Sequence, residues 1–300
     1  MSPAHKRRLA YLLLLITPGL LAVNYVLARM VADTVAPHAL AFGRWALAGI
    51  VMFALCWREI FDKRAAIAGE WRQFLVFGML GMWICGAFVY IGALTTQATN
   101  IGLLYSISPV LIALVSASYL KERMGVAQAV GVMLALAGVW HVLLKGQWAS
   151  LAQVRFIVGD LWILAAVLSW TAYALLLKAW PSAFGPAARL ALTCAAGALI
   201  LLPLAIIEAW WFRPLQVSWK AAAYVLTVAL LPGVGAYLAH SFMQRELGAG
   251  RVGVALYLGP LYTATLAWAL LDEPMRGFHW IGVALILPGI FLATRPARNP

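Results

Sequence analysis

The sequence predicts an all-α integral membrane protein with ten transmembrane helices, arranged as two inverted five-helix repeats. Three observations lead to this fold class. The composition is strongly apolar, with 64% hydrophobic and 11% charged residues and a mean hydropathy of +0.90, whereas a soluble domain usually carries about 25% charged residues. Apolar runs of transmembrane length recur along the chain. The first half of the sequence also resembles the second.

The apolar runs have the length that an α-helix needs to cross the hydrocarbon core of a bilayer. Barrel strands are excluded because the runs are too long and too continuously apolar, and lipid offers no partner to an open sheet edge. The ten predicted spans cover residues 9–31, 38–57, 72–94, 98–120, 126–144, 157–178, 185–208, 218–242, 250–271 and 278–294.

The basic residues are distributed unequally among the predicted loops. The net charge is +12, but the 22 Lys and Arg are scattered among short loops, so no nucleic-acid partner is expected. With the N-terminus inside, the inner segments hold fourteen of these residues and the outer segments six. The positive-inside rule therefore predicts a multi-pass protein of the lipid bilayer with both termini cytoplasmic. The basic and then apolar start resembles a secretory signal, but nine further spans favour an uncleaved first helix.

The two halves align when the chain is shifted against itself by about 150 residues. The stretch RWAL from Arg44 resembles RLAL from Arg189, and the halves are predicted to comprise residues 1–147 and 148–300. At a shift of 151 the identical pairs include Gly102 with Gly253, Pro109 with Pro260, Glu122 with Glu273, Gly131 with Gly282 and Gly138 with Gly289.

An odd number of helices in each half predicts that the second half enters the membrane from the opposite side. Two inverted halves can rock between outward-open and inward-open arrangements around a central site, which is typical of secondary transporters. The glycine pairs of the fifth helices lie seven residues apart on one helical face, where small residues let neighbouring helices approach closely.

In combination, these features resemble the drug/metabolite transporter superfamily, EamA type: two five-helix repeats, each with a proline in its fourth helix, a glutamate ending that helix and a spaced glycine pair in its fifth. The aromatic content and the stretch WICGAFVYIGAL most resemble the YddG-type aromatic amino acid exporters. The resemblance implies export of amino acids and related metabolites by alternating access across the bacterial inner membrane. We expect no cofactor and a functional monomer. Relatives often carry a tryptophan in the first helix, whereas this chain has GLLAVNYVLAR, so Tyr25 or another helix must supply that aromatic wall.

A transporter site is expected near the midplane, so polar and aromatic side chains in mid-helix are the candidates. Aromatic rings can stack on an apolar substrate and attract a cation, while those near helix ends are assigned to the aromatic belts. At helical spacing, aromatic residues are otherwise often lipid-facing or packed in the core. The residues predicted to bind substrate are Asn24, Trp83, Tyr90, Tyr105, Ser108, Trp170, Tyr173, Tyr237, His240 and Tyr257.

Four further residues are predicted to act in gating. Arg44 and Arg189 lie at equivalent places in the second helix of each half, where a charge costs about 2.5 to 3.5 kcal/mol on insertion scales. These arginines could form a gate, or they could contact the carboxylate of a substrate. We expect a third arrangement, in which each guanidinium reaches the lipid headgroups while the aliphatic part of its side chain packs in apolar surroundings. Pro109 and Pro260 are predicted hinges, because proline removes a backbone donor and kinks a helix.

The charge pattern also limits the coupling mechanism. All ten acidic residues fall in loops or at helix ends, so no midplane carboxylate is available to exchange a proton or to bind a cationic drug. Proton coupling would need His240, the only histidine in mid-span, since histidine titrates near neutrality when unperturbed. We therefore predict facilitated diffusion or exchange.

An enzyme is not expected, because the five histidines form no metal-ligand cluster and no phosphate-binding loop of the GxxxxGK[ST] type occurs. Two alternatives stay open. A drug transporter or a transporter of phosphorylated metabolites could share this fold; the phosphorylated substrates would require several basic residues at mid-membrane, and only Arg44, Arg189, Lys178 and Arg251 come near. A channel or sensor would act without saturable counterflow.

Overall fold

The structure is a computed structural model of the chain, and it describes residues 3–108, 110–111, 115, 125–148, 157–214, 218–247 and 258–293. Within these ranges the regular structure is helical and contains no strand. The elements are α1 (Pro3–Met30), α2 (Pro37–Asp62), α3 (Arg64–Phe77), π1 (Gly78–Ile84), α4 (Cys85–Gly92), α5 (Ala98–Tyr105), α6 (Val126–Leu143), α7 (Val158–Ala179), α8 (Pro186–Trp211), α9 (Trp219–Val228), π2 (Ala229–Gly235), α10 (Ala236–Leu247), α11 (Gly259–Leu271) and α12 (Gly277–Ala293).

The helices fall where the apolar runs predict them. Each predicted span contains a described helix, and the all-helical membrane fold is confirmed in that respect. Two shorter apolar helices cover Val126–Val142 and Gly277–Leu292, and the number of crossings stays a prediction. Within the described residues, six helices are long and apolar enough to cross a membrane: Ala4–Met30, Pro37–Asp62, Arg64–Gly92, Val158–Leu177, Pro186–Trp211 and Trp219–His240.

The predicted start of the third helix is wrong. The third helix begins at Arg64 rather than near residue 72, because Lys63 alone separates it from α2. Arg64 and Arg72 lie within its first turns with exposed side chains. Long basic side chains keep their charge in water while the backbone stays helical, so the charged residues do not mark the end of the helix.

Two α-helices are each interrupted by a π-helical segment that the sequence did not predict. π1 joins α3 to α4, and π2 joins α9 to α10, at positions 151 residues apart. Pro232 lies inside π2, where its missing donor suits a widened turn. In π1 the carbonyl of Leu80 instead accepts a hydrogen bond from the Ser169 hydroxyl of α7 at 2.8 Å.

Two antiparallel helix pairs make the most extensive contacts between described helices, α2 with α8 and α6 with α12. Glycines permit the close contact between α6 and α12. A Cβ on Gly138 would lie 2.7 Å from Ile286, and a Cβ on Gly289 would lie 2.5 Å from the backbone nitrogen of Ala135. The close helix approach predicted from the glycine pairs is thus confirmed for this pair.

Carboxylates fasten both ends of the α2–α8 pair. We call the two ends of the bundle the Pro37 end, where α2 begins, and the Lys63 end, where α2 finishes. At the Pro37 end, Glu208 accepts the backbone N–H of His38 at 2.8 Å and lies 3.1 Å from its imidazole Nδ1. At the Lys63 end, Glu59 accepts the N–H of Gly185 at 2.7 Å and the ammonium of Lys63 at 2.8 Å.

Candidate functional site

A buried hydrogen-bonded cluster joins three helices in the interior of the bundle. The Arg44 Nη1 of α2 donates to Asn24 Oδ1 of α1 at 2.8 Å and contacts the Tyr90 hydroxyl of α4 at 3.2 Å. Tyr90 in turn donates to Asn24 Oδ1 at 2.9 Å. All three side chains are buried. Two predicted substrate-binding residues and one predicted gating residue therefore meet at one point.

An aromatic ring packs on this guanidinium, and a second ring packs on the first. The Cζ of Arg44 lies 4.2 Å from the centroid of the Trp45 ring, a distance that gives a cation–π interaction. Trp45 also makes an edge contact with Tyr237 of α10 at 6.3 Å between ring centroids. We name Asn24, Arg44, Trp45, Tyr90 and Tyr237 the Arg44 cluster; Tyr237 is its member from the second half of the chain.

The interpretation that Arg44 reaches the headgroups is wrong. Its side chain is 5% exposed and bonds inside the bundle. It forms no ion pair with any described residue, and its Nε–H is buried without a partner. A positive charge in the interior is thus held by neutral groups alone. Such an arrangement is costly unless something else balances the charge.

Arg189 does not occupy a place equivalent to that of Arg44. It lies in the first turn of α8 and donates to the carbonyls of Leu177 and Trp180, at 3.1 and 2.9 Å, where α7 ends. Its guanidinium therefore closes a helix terminus at the Lys63 end. Counting from Pro37 and Pro186, which open α2 and α8, the counterpart of Arg44 is Thr193, whose buried hydroxyl has no partner among the described residues.

A second pair of predicted residues lies beside the cluster. Tyr105 packs on Tyr25 with ring centroids 5.1 Å apart, and its hydroxyl contacts the Cys85 Sγ at 3.2 Å. Tyr25 and Cys85 both lie within electrostatic range of Arg44. Ser108 is buried, and its hydroxyl donates to the carbonyl of Tyr105, the last residue of α5, at 2.8 Å. Tyr25 therefore supplies an aromatic face from the first helix, as the sequence suggested.

The remaining aromatic candidates form separate groups. Trp170 stacks on Tyr173 at 5.2 Å between centroids, beside Phe77. Trp83 instead contacts Phe88, which packs on Trp162. His240 is half-buried and makes no hydrogen bond with a described residue. The structure thus does not bring all ten predicted binding residues together.

Two predicted residues, Pro109 and Tyr257, lie outside the described residues. Pro260 lies in the first turn of α11 and not in the middle of a described helix, and residues 251–257 before it are also outside the described ranges. Proline is favoured in a first turn because no backbone donor is needed there. The hinge role of both prolines stays a prediction.

The sequence reasoning missed Trp45. It lies in the middle of a predicted span, next to a charged residue, and this combination was a signal that could have identified it. Gly86 of α4 is part of the same arrangement, since a Cβ there would lie 2.7 Å from the Trp45 Nε1. The bare glycine therefore lets the indole approach α4 closely.

Polar contacts also join the helices at each end of the bundle. At the Pro37 end, Thr96 donates to the Asp160 carboxylate, and His279 Nε2 pairs with Asn100 Oδ1 at 3.2 Å. At the Lys63 end, Ser182 and the N–H of Ala183 both donate to Glu70, at 2.5 and 2.7 Å. The Arg44 cluster lies between these two sets of contacts.

A groove of about 670 Å³ opens on the side of α11 and α12 and contains none of the predicted site residues. Its walls are mostly apolar and include two tryptophans. The lining residues are Leu261, Ala264, Thr265, Trp268, Asp272, Pro274, Met275 and Trp280.

Comparison with known proteins identifies the family. The sequence profile of the EamA-like transporter family matches residues 8–144 and again residues 157–295. The uncharacterized transporter YyaM of Bacillus subtilis is 24% identical over 296 residues, 97% of this chain and 95% of that protein. An uncharacterized transporter of Archaeoglobus fulgidus is 26% identical over 285 residues, 95% of this chain and 96% of its own length.

A relative with a more specific name is the probable terminal-alkyne amino-acid exporter of Streptantibioticus cattleyicolor, which is 26% identical over 218 residues, 73% of this chain and 71% of that protein. One solved crystal structure superposes on 98% of this chain and 97% of its own with a TM-score of 0.63 at 20% sequence identity, which shows a shared fold. The EamA-type resemblance found in the sequence is confirmed. The chain belongs to the EamA-like transporter family.

Proposed function

We propose that the protein is a secondary transporter that exports amino acids, aromatic and other neutral ones, together with related metabolites. The observation that carries this proposal is the Arg44 cluster, in which polar and aromatic side chains of α1, α2, α4 and α10 converge in the interior. The amino-acid exporter of Streptantibioticus cattleyicolor supports the substrate class. The likeness to YddG-type aromatic exporters belongs to this proposal as well.

The proposed architecture has ten transmembrane helices in two inverted repeats, residues 1–147 and 148–300. Three features support it: the family profile matches twice, the π segments recur 151 residues apart, and each partner of the α2–α8 pair caps the other. The protein would lie as a monomer in a bacterial inner membrane, with both termini cytoplasmic. The Pro37 end would then face outward.

Transport would proceed by alternating access to the cluster. The contacts of Asp160 and Glu70 described above close the Pro37 end and the Lys63 end, respectively. Each set must break in turn for substrate to enter from one side and leave from the other. Because the contacts are hydrogen bonds between polar groups that water can replace, each opening has a modest cost.

Counterflow in proteoliposomes tests the proposal. Vesicles that contain the purified chain and unlabelled phenylalanine should accumulate labelled phenylalanine transiently, and threonine should compete. A phosphorylated sugar should not compete, because such a substrate would require several basic residues. The side chains of Arg44 and Arg189 are described, and of these two only Arg44 lies in the cluster. Failure of every amino acid to exchange would contradict the proposal, and conduction without saturation would indicate a channel.

A further inference from the structure

We propose, on the basis of the transport function proposed above, that the Arg44 cluster recognises the carboxylate of its substrate and not the amine. The substrate class would then be apolar monocarboxylates, with or without an amino group. The inference goes beyond amino-acid export, because it predicts that acids without an ammonium group bind the same site.

The first step is the unbalanced charge of Arg44. Its hydrogen-bond partners, Asn24 Oδ1 and the Tyr90 hydroxyl, are neutral. Among the described residues the acidic side chains other than Glu70 lie at helix ends or in turns, Glu70 lies in the second turn of α3 near the Lys63 end, and none of them contacts the cluster. A carboxylate bound beside Arg44 would supply the missing negative charge inside the bundle, where an opposite charge interacts strongly.

The second step is the donor left unused. The Nε–H of Arg44 is buried and has no partner among the described residues. Nε and a terminal nitrogen of a guanidinium form a fork whose spacing matches the two oxygens of a carboxylate. Gly233 of π2 lies beside this edge, because a Cβ on that glycine would stand 4.0 Å from the Nε. A residue without a side chain therefore borders the edge at which we place the carboxylate.

The third step is the absence of a matching site for an ammonium group. The strongest acceptor in the cluster, Asn24 Oδ1, already accepts hydrogen bonds from Arg44 and from Tyr90. No acidic side chain of the described residues stands near enough to replace it. An ammonium group would also meet the positive charge of Arg44, and like charges repel in a site of low dielectric constant.

The aromatic neighbours complete the site. Trp45 and Tyr237 belong to the cluster itself, and Tyr25 with Tyr105 lies beside it. These rings offer apolar faces on which an aryl or alkyl body can stack. These rings would recognise the apolar part of the substrate by shape and apolar contact, and Arg44 would bind its carboxylate.

Binding is best measured with three probes that share one phenylethyl body: phenylalanine carries both charges, 3-phenylpropionate only the carboxylate, and phenethylamine only the ammonium. The readout is the rise in melting temperature of the purified full chain in detergent, which does not depend on transport. Phenylalanine and 3-phenylpropionate should stabilise the protein at concentrations at least about tenfold lower than phenethylamine requires, a difference of about 1.4 kcal/mol.

Variants test the role of Arg44 itself. Arg44→Gln should weaken the binding of phenylalanine and 3-phenylpropionate at least about tenfold. Arg44→Lys should weaken their binding less, because lysine keeps the positive charge but lacks the two-nitrogen fork of the guanidinium. Arg72→Gln is the matched control, since it removes one charge from an exposed side chain of α3 and should bind as the wild type does. If Arg44→Gln does not fold, the wild-type probe series and Arg44→Lys still decide the question.

Several outcomes would overturn the inference: stabilisation by phenethylamine at the same concentrations as 3-phenylpropionate, unchanged binding of 3-phenylpropionate by folded Arg44→Gln, or no stabilisation by any probe. The two proposals fail separately. If 3-phenylpropionate binds through Arg44 but no amino acid exchanges across vesicles, amino-acid export is wrong and carboxylate recognition stands. If phenylalanine exchanges across vesicles but phenethylamine binds as well as 3-phenylpropionate does, carboxylate recognition is wrong and amino-acid export stands.

Discussion

Glu59 and Glu208 each cap the helix that carries the other. Glu59, in the last turn of α2, accepts the N–H of Gly185 just before α8, and Glu208, in the last turn of α8, accepts the N–H groups of His38 and Ala39 at the start of α2. A carboxylate stabilises a helix N-terminus both as a hydrogen-bond acceptor and through the helix dipole. The antiparallel pair is therefore fastened at both ends by the same chemistry.

Removing either carboxylate should destabilise the fold. We expect Glu59→Gln and Glu208→Gln each to lower the free energy of unfolding by about 1 kcal/mol, measured by thermal or denaturant unfolding in detergent. The two losses should add, because the caps lie at opposite ends of the pair. Asp62→Asn is the control, since it removes an exposed carboxylate from the same helix; an equal loss in this variant would mean that net charge and not capping is responsible.

Gly86→Ala should weaken substrate binding with little effect on the amount of folded protein. The added Cβ would stand 2.7 Å from Trp45 Nε1, so the indole must shift away from its place under Arg44. An off-rotamer shift of this kind costs about 0.5 to 1.5 kcal/mol. Half-saturating substrate concentration in counterflow measures the effect. Gly69→Ala, with no atom within 4 Å of its new Cβ, is the matched control and should behave as the wild type does.

Ser169→Ala should show what stabilises π1. This substitution removes the side-chain donor to the Leu80 carbonyl, which keeps the backbone N–H of Cys85, and should lower the free energy of unfolding by about 0.5 to 1.5 kcal/mol. Thr171→Val removes a hydroxyl of the same helix that bonds only to Val167 within α7. A loss in Ser169→Ala no greater than the loss in Thr171→Val would show that Ser169 has no special part in holding the wide turn.

Exchange should not depend on a proton gradient. No acidic side chain of the described residues lies in the Arg44 cluster, and His240 makes no hydrogen bond with a described residue. We expect equal counterflow rates with and without an imposed pH gradient, in the wild type and in His240→Ala, with a protonophore as the control. Strong acceleration by the gradient that disappears in His240→Ala would establish proton coupling through that residue.

The two prolines of the fourth and ninth predicted spans are expected to affect rates more than affinities. Pro109→Ala or Pro260→Ala should slow counterflow while half-saturation changes little, because a hinge alters the barrier between conformations and not the contacts with substrate. In Pro260→Ala the melting temperature should change little, since the residue lies in a first turn. Wild-type rates in both variants would rule out the hinge interpretation.

The apolar pattern predicted where the helices lie but not how they are wound. A helix needs a minimum apolar length to cross a bilayer, and each predicted apolar run contains a described helix. The π segments could not be predicted, because helices that are apolar on every face show no hydrophobic periodicity that a widened turn would interrupt. Of the two segments, only π2 contains a proline. The start of α3 was misplaced because basic residues remain helical where their side chains reach water.

The site could be predicted in part. Mid-helix position selected Asn24 and Tyr90, which bond to each other, and Tyr237, which contacts Trp45 of the same cluster. It gave equal weight to Trp83 and Trp170, which belong to other groups. The surroundings of Arg44 could not be read from the sequence, because its acceptors lie on helices 20 and 46 residues away. The match of RWAL to RLAL misled the alignment; the prolines that open α2 and α8 give the better register.

The shared position of π1 and π2 carries information about descent. Both halves match one family profile, and their wide turns lie at the same spacing as the glycine and proline pairs that follow. A turn widened in only one half after duplication would have no counterpart in the other. Under the duplication proposed above, the wide turn is older than the present chain: the single ancestral unit would already have contained it, and each half would have retained its copy, one with a proline and one without.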